Sequence, residues 1–576
     1  MPSPRVVPPI PDLLSADPEL RVDRAELTQT LIFAFATGSA VDAFDSALVG
    51  ATLPSSGWDR AHFAKDLFLE QLVERCLVVR IGGRGHSACV PYLLRAIAEA
   101  PRTPEVVTFR RAVLEELVSS KDRRAELEAC YTKIVELRTL LCAGRRTGER
   151  LRRLEILRAV HDVVGTLADS FEGATSGLAR VRAFGRAVRE GDPFRNLDAL
   201  LEHEQHLATV DLRVRVGSDG EIRAFQITAI RENQGNPFHA SAIGRWIAKI
   251  RLFLRGYRVD GGEVTERIFD DVFTGLEQSL VMIFQLLGDL EFHLAALGFR
   301  DLAVSKGLAV CFPELCSSEG EGAPGMELTA LFNPLLLGEK RSPVPCNIRV
   351  ARAGSVVMVT GPNSGGKTRL LQSLAFAQLL GEAGMFVPAR AARLPRVSGL
   401  FVSIVDESRA DQPEGQLGME LLRIRRMFEE LGPGSLVLLD ELCSGTNPSE
   451  GEEIARLVIS LLPELGAQVF VTTHLLHFAA QLAEEKSFMH TEFLQVELDE
   501  HERATYGFVP GVARTSLAHK TAARLGVTRD ELTALIAAKK RALLGTIPGA
   551  TSLPAQPPSG TTMLPAPAAA IDVASG

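Results

Sequence analysis

Net positive charge is missing from this 576-residue chain, whose formal charge is −8. That argues against a surface uniformly coated for nucleic acid and leaves local basic patches open. Cysteine is sparse, with 8 residues scattered along the sequence. The closest pair, Cys311 and Cys316, has no His or Cys cluster beside it to complete a metal site. Reduced, buried thiols in a cytoplasmic protein are the expectation. Apolar runs long enough to cross a bilayer are also wanting. The most apolar early stretch, Leu31 to Val41, is too short and follows acidic residues. It fits neither a membrane span nor a signal peptide, and a buried helix is expected there. No internal repeat is evident.

What is present is ordinary apolar material. Hydrophobic residues make up 46% of the chain and charged residues 23%, enough for more than one core and about two to four domains. Residues 1–24 carry Pro2, Pro4, Pro8, Pro9 and Pro11 and read as a flexible arm. Residues 25–105 suggest a small mixed domain. Ala64 to Cys76 is helical there, Phe68 is a core residue, and Leu77 to Ile81 is a short strand before Gly82-Gly83.

Residues 106–300 read as a helical core or lever. Val113, Leu114, Leu117, Leu127, Tyr131, Ile134, Leu137 and Leu141 recur at threes and fours, predicting one long helix from Val106 to Leu141. Gly144 breaks it, and a second helix is predicted from Glu149 to about Leu167. The join holds Arg145, Arg146, Arg150, Arg152, Arg153 and Arg158 against only Glu149 and Glu155. Such a basic elbow could track a phosphate backbone; the plain alternative is a solvated helix face. Leu212 to Ala229 alternates around Ser218-Asp219-Gly220, a hairpin signal, and helices return over Ser241 to Leu254 and Glu263 to Leu297.

From about Asp301 the texture changes. Leu308 to Phe312, Ser355 to Thr360, Gly399 to Val405, Leu436 to Leu439 and Gln468 to Thr472 are near-continuous apolar runs. Runs of that kind belong to a sheet buried on both faces, so residues 301–545 read as an α/β domain. Residues 546–576 are rich in Pro, Ala, Ser and Thr and read as a disordered tail.

The chemistry is concentrated in Ser355 to Leu380, SVVMVTGPNSGGKTRLLQSLAFAQLL. An apolar strand ends in Gly361, Pro362, Asn363, Ser364, Gly365 and Gly366. Lys367 and Thr368 follow, and then an amphipathic helix. This is the full G-x-x-x-x-G-K-S/T pattern between strand and helix. Its glycines let backbone N–H groups curl round an anion, and the helix N-terminus adds partial positive charge. Lys367 is expected on the β- and γ-phosphates and the Thr368 hydroxyl on Mg²⁺.

A second apolar strand delivers Asp440 and Glu441 at its C-terminal end, where open α/β sheets bind ligands. Asp440 suits the Mg²⁺ shell, and Glu441 is placed to orient and deprotonate water. A third strand ends in Thr472-Thr473-His474. His474 is expected to sense the γ-phosphate; otherwise it is a polar residue closing a strand.

These motifs together resemble the MutS family of DNA mismatch-repair ATPases. The resemblance rests on GPNSGGKT with Met385-Phe386-Val387-Pro388-Ala389, and on Asp440-Glu441-Leu442-Cys443-Ser444-Gly445-Thr446. It also rests on Thr472-Thr473-His474, the late Gly511-Val512-Ala513-Arg514-Thr515-Ser516, and, upstream, Leu331 to Leu336 and Val344 to Asn347. It covers roughly residues 325 to 530. Gly445-Thr446-Asn447-Pro448 with Glu450-Gly451 is closer to the subfamily lacking the mismatch-reading domain.

The resemblance implies a P-loop ATPase domain of ABC/MutS type behind helical levers. It implies ATP and Mg²⁺ as cofactors, a homodimer with ATP between paired ATPase domains, and duplex or branched DNA as a sequence-independent partner. The chain would then be an ATP-switched clamp acting in mismatch repair or on recombination DNA, without a membrane and in the cytoplasm. A regulatory clamp on a protein partner is the alternative. A transporter ATPase is disfavoured, since no membrane segment and no LSGGQ-like run is found. Two departures stand out. Asp406 to Glu420 lacks the family's Ser-Thr pair, with Ser408 or Gln416 the nearest substitute. The family's Phe-x-Glu mismatch wedge is spelled only by Phe68-Leu69-Glu70, inside the helix expected above. A nuclease-like C-terminal domain is not expected, only the Pro/Ala tail.

Overall fold

A computed structural model describes residues 8–38, 43–143, 149–204, 209–216, 222–231, 261–317, 323–339, 342–404, 416–443, 447–485, 491–514 and 525–544. The chain forms two compact units, Met1–Ser516 and Leu517–Gly576. Helices dominate the first unit up to Ser305, and an α/β part follows.

The helical part is organised round one 45-residue helix, Gly261–Ser305. Within Arg267–Ser305 its most apolar 18-residue window has a mean hydropathy of 1.6, long and apolar enough to cross a membrane, yet that window is wholly buried within the protein. Its apolarity is therefore accounted for by the core. Phe269, Phe273, Phe284, Phe292 and Phe299 are each among the largest fully buried side chains. Phe273 stacks on Phe35 at 4.0 Å and Phe284 on Phe44 at 4.4 Å, which seats helices Arg24–Thr37 and Ala43–Val49 against it.

Several expectations are corrected here. The arm expected over residues 1–24 is anchored in the core at Pro11 to Leu14 and at Arg21 and Val22, with Leu13 and Leu14 fully buried. Leu13 N–H donates to Asp289 Oδ2 at 2.9 Å, and Arg21 pairs with Asp289 at 2.5 Å and Asp12 at 3.3 Å. A proline-rich composition predicts an irregular backbone and says nothing of whether partners bury it. Arg110, buried to 1% exposure, donates to Leu14 O at 2.9 Å and to Ala383 O at 3.1 Å. One guanidinium thus joins the N-terminal segment, helix Pro104–Ser119 and the end of the helix that follows the phosphate loop.

The single helix expected over Val106–Leu141 is two, Pro104–Ser119 and Lys121–Cys142. Ser120 is extended (φ −129°), and its Oγ accepts from Arg123 N–H, so an N-cap interrupts a continuous apolar stripe. Of the arginine elbow, Arg152 and Arg153 point inward. Arg152 caps carbonyls of Ala34, Phe35 and Ala143, and Arg153 pairs with Asp270 at 3.0 Å and lies over the Phe35 ring. Arg150 and Arg158 are exposed; Arg145 and Arg146 lie outside the described residues. Helix Leu69–Cys76 starts one residue after Phe68, which is left-handed (φ 52°) and 39% exposed, so Phe68 is not a core residue. The buried helix expected over Leu31 to Val41 is the second half of helix Arg24–Thr37, which ends at Thr37 and leaves Ile32 and Phe33 exposed.

The predicted hairpin forms as Thr209–Val216 against Ile222–Arg231, antiparallel. The helix expected over Ser241 to Leu254 and the tail 546–576 lie outside the described residues. Leu308 to Phe312 is not a strand; it makes one bridge, Cys311 to Val387.

The α/β part holds a six-stranded sheet in the order Leu400–Ser403, Leu436–Leu439, Gln468–Thr473, Val356–Thr360, Thr491–Leu498, Ala504–Pro510. The first five are parallel and the last antiparallel. Alternate residues of each strand serve opposite layers. Val357, Val359, Leu436, Leu438 and Phe470 join the core shared with the helical part. Val356, Met358, Val437, Leu439, Val469 and Val471 join a second core on the other face. Burial on both faces is why these strands read as unbroken apolar runs.

The second unit is described over its helix Arg529–Leu544. Thr528 and Glu531 cap it reciprocally: Thr528 Oγ1 donates to Glu531 Oε2 at 2.6 Å and accepts from Glu531 N–H. Leu532, Leu535 and Ile536 are exposed along it.

Candidate functional site

The three strands that carry the sequence motifs are neighbours in the sheet, with Gln468–Thr473 between Leu436–Leu439 and Val356–Thr360. Their C-terminal ends therefore open on one rim. The phosphate loop leaves the strand at Gly361 (φ 143°), where a Cβ would meet Val496 at 2.6 Å. It enters helix Lys367–Glu382 through Gly366 (φ 90°), and no side chain caps that N-terminus. The helix start is thus left open to an anion.

Lys367 is buried, and its Nζ donates to Gly361 O at 3.1 Å and Pro362 O at 3.3 Å. Burial holds its pKa below the ordinary lysine value, and Glu441 and Asp440 act in the other direction. Glu441 Oε1 stands 3.9 Å from Nζ. The ammonium is held mainly by neutral carbonyls, which leaves it able to turn to a phosphate.

Thr368, Asp440, Thr472 and Glu441 form one chain of hydrogen bonds. Thr368 Oγ1 donates to Asp440 Oδ2 at 2.6 Å. The Thr472 hydroxyl donates to the other oxygen, Oδ1, and accepts from Glu441 N–H at 3.0 Å. His474 Nδ1 lies 3.7 Å from Glu441 Oε2. Every residue expected at the site is thereby placed on this rim: Gly361, Pro362, Asn363, Ser364, Gly365, Gly366, Lys367 and Thr368 in the loop, with Asp440, Glu441 and His474 facing it. A hydroxyl beside a carboxylate is a set of hard oxygen donors, which fits Mg²⁺.

The backbone here is strained. Ser364, Glu441, Cys443 and Tyr506 all have φ between 51° and 67°. Each such non-glycine residue costs about 1–2 kcal/mol and persists only where neighbours over-determine it. For Glu441 and Cys443 those neighbours are side chains: Thr472 Oγ1 accepts from Glu441 N–H, and Glu420 Oε1 accepts from Cys443 N–H at 2.5 Å.

Two residues the sequence did not single out belong here. Tyr506, on strand Ala504–Pro510, is 46% exposed, and its ring edge lies 3.2 Å from where a Gly366 Cβ would stand. Glu420 appeared only as the last residue of the departing stretch Asp406 to Glu420. No local pattern marks either, since both reach the rim from distant segments. The upstream resemblance has a structural basis as well. Asn333 Nδ2 donates to Gln372 Oε1 at 3.2 Å and so ties that lead-in to the phosphate-loop helix. The late Gly511 to Arg514 is drawn in too, as Ala513 N–H donates to Thr360 Oγ1 at 2.9 Å. Ser408 and Ser444 to Thr446 lie outside the described residues.

Residues 357–539 match a family model described as MutS domain V. The chain is 34% identical over 259 residues to an "Endonuclease MutS2" of Thermomicrobium roseum, covering 42% of this chain and 31% of that protein. It is 28% identical over 449 residues to an "Endonuclease MutS2" of Thermus thermophilus, covering 76% of this chain and 56% of the other. A third such protein, of Pelotomaculum thermopropionicum, is 32% identical over 274 residues, covering 46% and 32%. The chain thus spans between about a third and just over half of these relatives.

Proposed function

We propose that this MutS-related chain is a Mg²⁺-dependent ATPase whose nucleotide state sets its grip on DNA. The carrying observation is the hydrogen-bonded series Thr368, Asp440, Thr472, Glu441 beside an uncapped helix N-terminus. In this reading Gly361 to Gly366 wrap the phosphates with backbone N–H groups. Lys367 leaves the loop carbonyls for the β- and γ-phosphates. Thr368 and Asp440 would hold Mg²⁺, which neutralises charge on the phosphate oxygens when bound. Glu441 orients the attacking water and takes its proton, and His474 follows the γ-phosphate through Glu441. The exposed Tyr506 ring offers the base a face to stack on.

A homodimer of ABC/MutS type fits the exposed Leu532, Leu535 and Ile536 of the C-terminal helix, an apolar stripe suited to a second copy. Eight free thiols suit the reducing cytoplasm. The nuclease activity in the relatives' names is theirs; this reading rests on the chain's own site.

One observation favours a second reading, a clamp on a protein partner. Arg152 and Arg153 are committed to the interior, which removes them from any phosphate-tracking elbow. The deciding experiment measures ATP turnover and the binding of homoduplex, mismatch and four-way junction, each with and without ATP and across salt. DNA binding that falls steeply with salt and shifts with ATP supports the DNA clamp. ATP turnover with no DNA binding at low salt selects the protein-partner reading, and no turnover overturns both.

A further inference from the structure

The 441–443 turn is held from a side the motifs do not mention. Glu441 and Cys443 are both left-handed, at φ 51° and 57°, and Leu442 and Cys443 are buried. Thr472 ties the first of these residues. The second is tied by Glu420, on helix Gln416–Glu430, whose Oε1 accepts from Cys443 N–H at 2.5 Å. The side-chain oxygen here satisfies a backbone N–H that the left-handed turn takes out of any ladder.

From this geometry we infer that Glu420 is a positioning residue for the hydrolytic step. It fixes the turn from which Glu441 reaches the water. The inference rests on the ATPase reading above. It predicts a specific division of labour. The loop and Lys367 carry ground-state binding of the phosphates, so nucleotide affinity does not depend on Glu420. Placement of the Glu441 carboxylate matters only when water attacks, so kcat does. What the turn requires is an acceptor at Oε1, which a glutamine amide also supplies and an alanine does not.

The test compares wild type, Glu420→Ala, Glu420→Gln and Glu441→Gln for kcat, KM and direct binding of a fluorescent ATP analogue. The expected result is a fall in kcat of about 10–100-fold for Glu420→Ala, with nucleotide affinity within about twofold of wild type. Glu420→Gln should recover kcat to within about threefold. Wild-type kcat in Glu420→Ala overturns the inference while leaving the ATPase reading intact. So does a Gln variant as slow as Ala, or a loss of nucleotide binding that parallels the loss of kcat, which would mark a merely structural residue. A wild-type chain that hydrolyses nothing, or a Glu441→Gln variant at full rate, overturns the assignment of Glu441 and this inference with it.

Discussion

Thr368 Oγ1 donates to Asp440 Oδ2 at 2.6 Å across 72 positions of sequence, joining the first turn of the phosphate-loop helix to the end of a strand two places away in the sheet. In the proposed ATPase this pair would hold Mg²⁺, so its carboxylate charge is the quantity to alter. Asp440→Asn should leave Mg²⁺-free nucleotide binding near wild type and cut Mg²⁺-supported hydrolysis by about 100-fold or more. Calorimetric titration with and without Mg²⁺, beside a phosphate-release assay, checks both halves. Equal hydrolysis in the variant would remove Asp440 from the metal site.

Lys367 and Glu441 should separate binding from chemistry. Lys367→Ala removes the one mobile cation of a loop otherwise built from backbone donors, and nucleotide affinity should fall at least about 100-fold. Glu441→Gln should keep affinity and slow turnover by about 100-fold. Filter binding and single-turnover kinetics on folded variants decide it. Unchanged affinity in the lysine variant would sink the phosphate-loop assignment, and normal turnover in the glutamine variant would move the base elsewhere, His474 first.

How far the sequence reached depends on the distance over which each signal acts. Gly361 to Thr368 and the Asp440-Glu441 pair are legible because a local backbone shape and its residues sit together in the chain. The parallel strands were legible because burial on both faces leaves runs such as Val356 to Val359. Ser120 is a different case: its cap signal is present, but a continuous apolar stripe on both sides masks it. Arg152 and Arg153 read as surface because charge is normally solvated, and only the carbonyls of Ala34 and Phe35 and the carboxylate of Asp270 explain why they turn inward. Tyr506 and Glu420 could not be read at all. Each reaches the rim from another part of the chain.

That inward turn is itself testable. Arg152→Ala leaves carbonyls at the end of helix Arg24–Thr37 without their donor and empties a buried place, at a cost of about 2–4 kcal/mol. Arg158→Ala, at an exposed position of the same helix, should change stability by less than about 0.5 kcal/mol. Thermal melts of the two variants should differ by several degrees. Equal melting would mean that the guanidinium of Arg152 does not hold that helix end.

Glu291 should give stability a dependence on pH. Burial pushes its carboxyl up to about 7 from an ordinary 4.5, against the opposing pull of Cys89 N–H and Arg138. Asp45 and Arg138 are the charged groups facing it, and the buried Tyr131 phenol stands nearby. Between pH 4.5 and 7 the folded chain keeps a proton that the unfolded chain gives up. Its contribution is therefore full below 4.5 and is lost as pH rises through 7. Glu291→Gln imitates the protonated form, so it should melt near wild type at about pH 5 and above it at about pH 8. Parallel melting curves across that range would show that Glu291 ionises freely.

The segment that Arg110, Arg21 and Asp289 hold has a consequence in time. Leu13 meets Asp289 across 276 positions, and Arg110 meets Ala383 across 273. A ribosome releases Leu13 and Leu14 long before either partner exists, and closing loops of that length is slow. Leu13, which ends fully buried, must therefore wait until the chain is made as far as Asp289. Synthesis order and assembly order part ways here, since a segment made before residue 25 takes its place only once residue 289 exists.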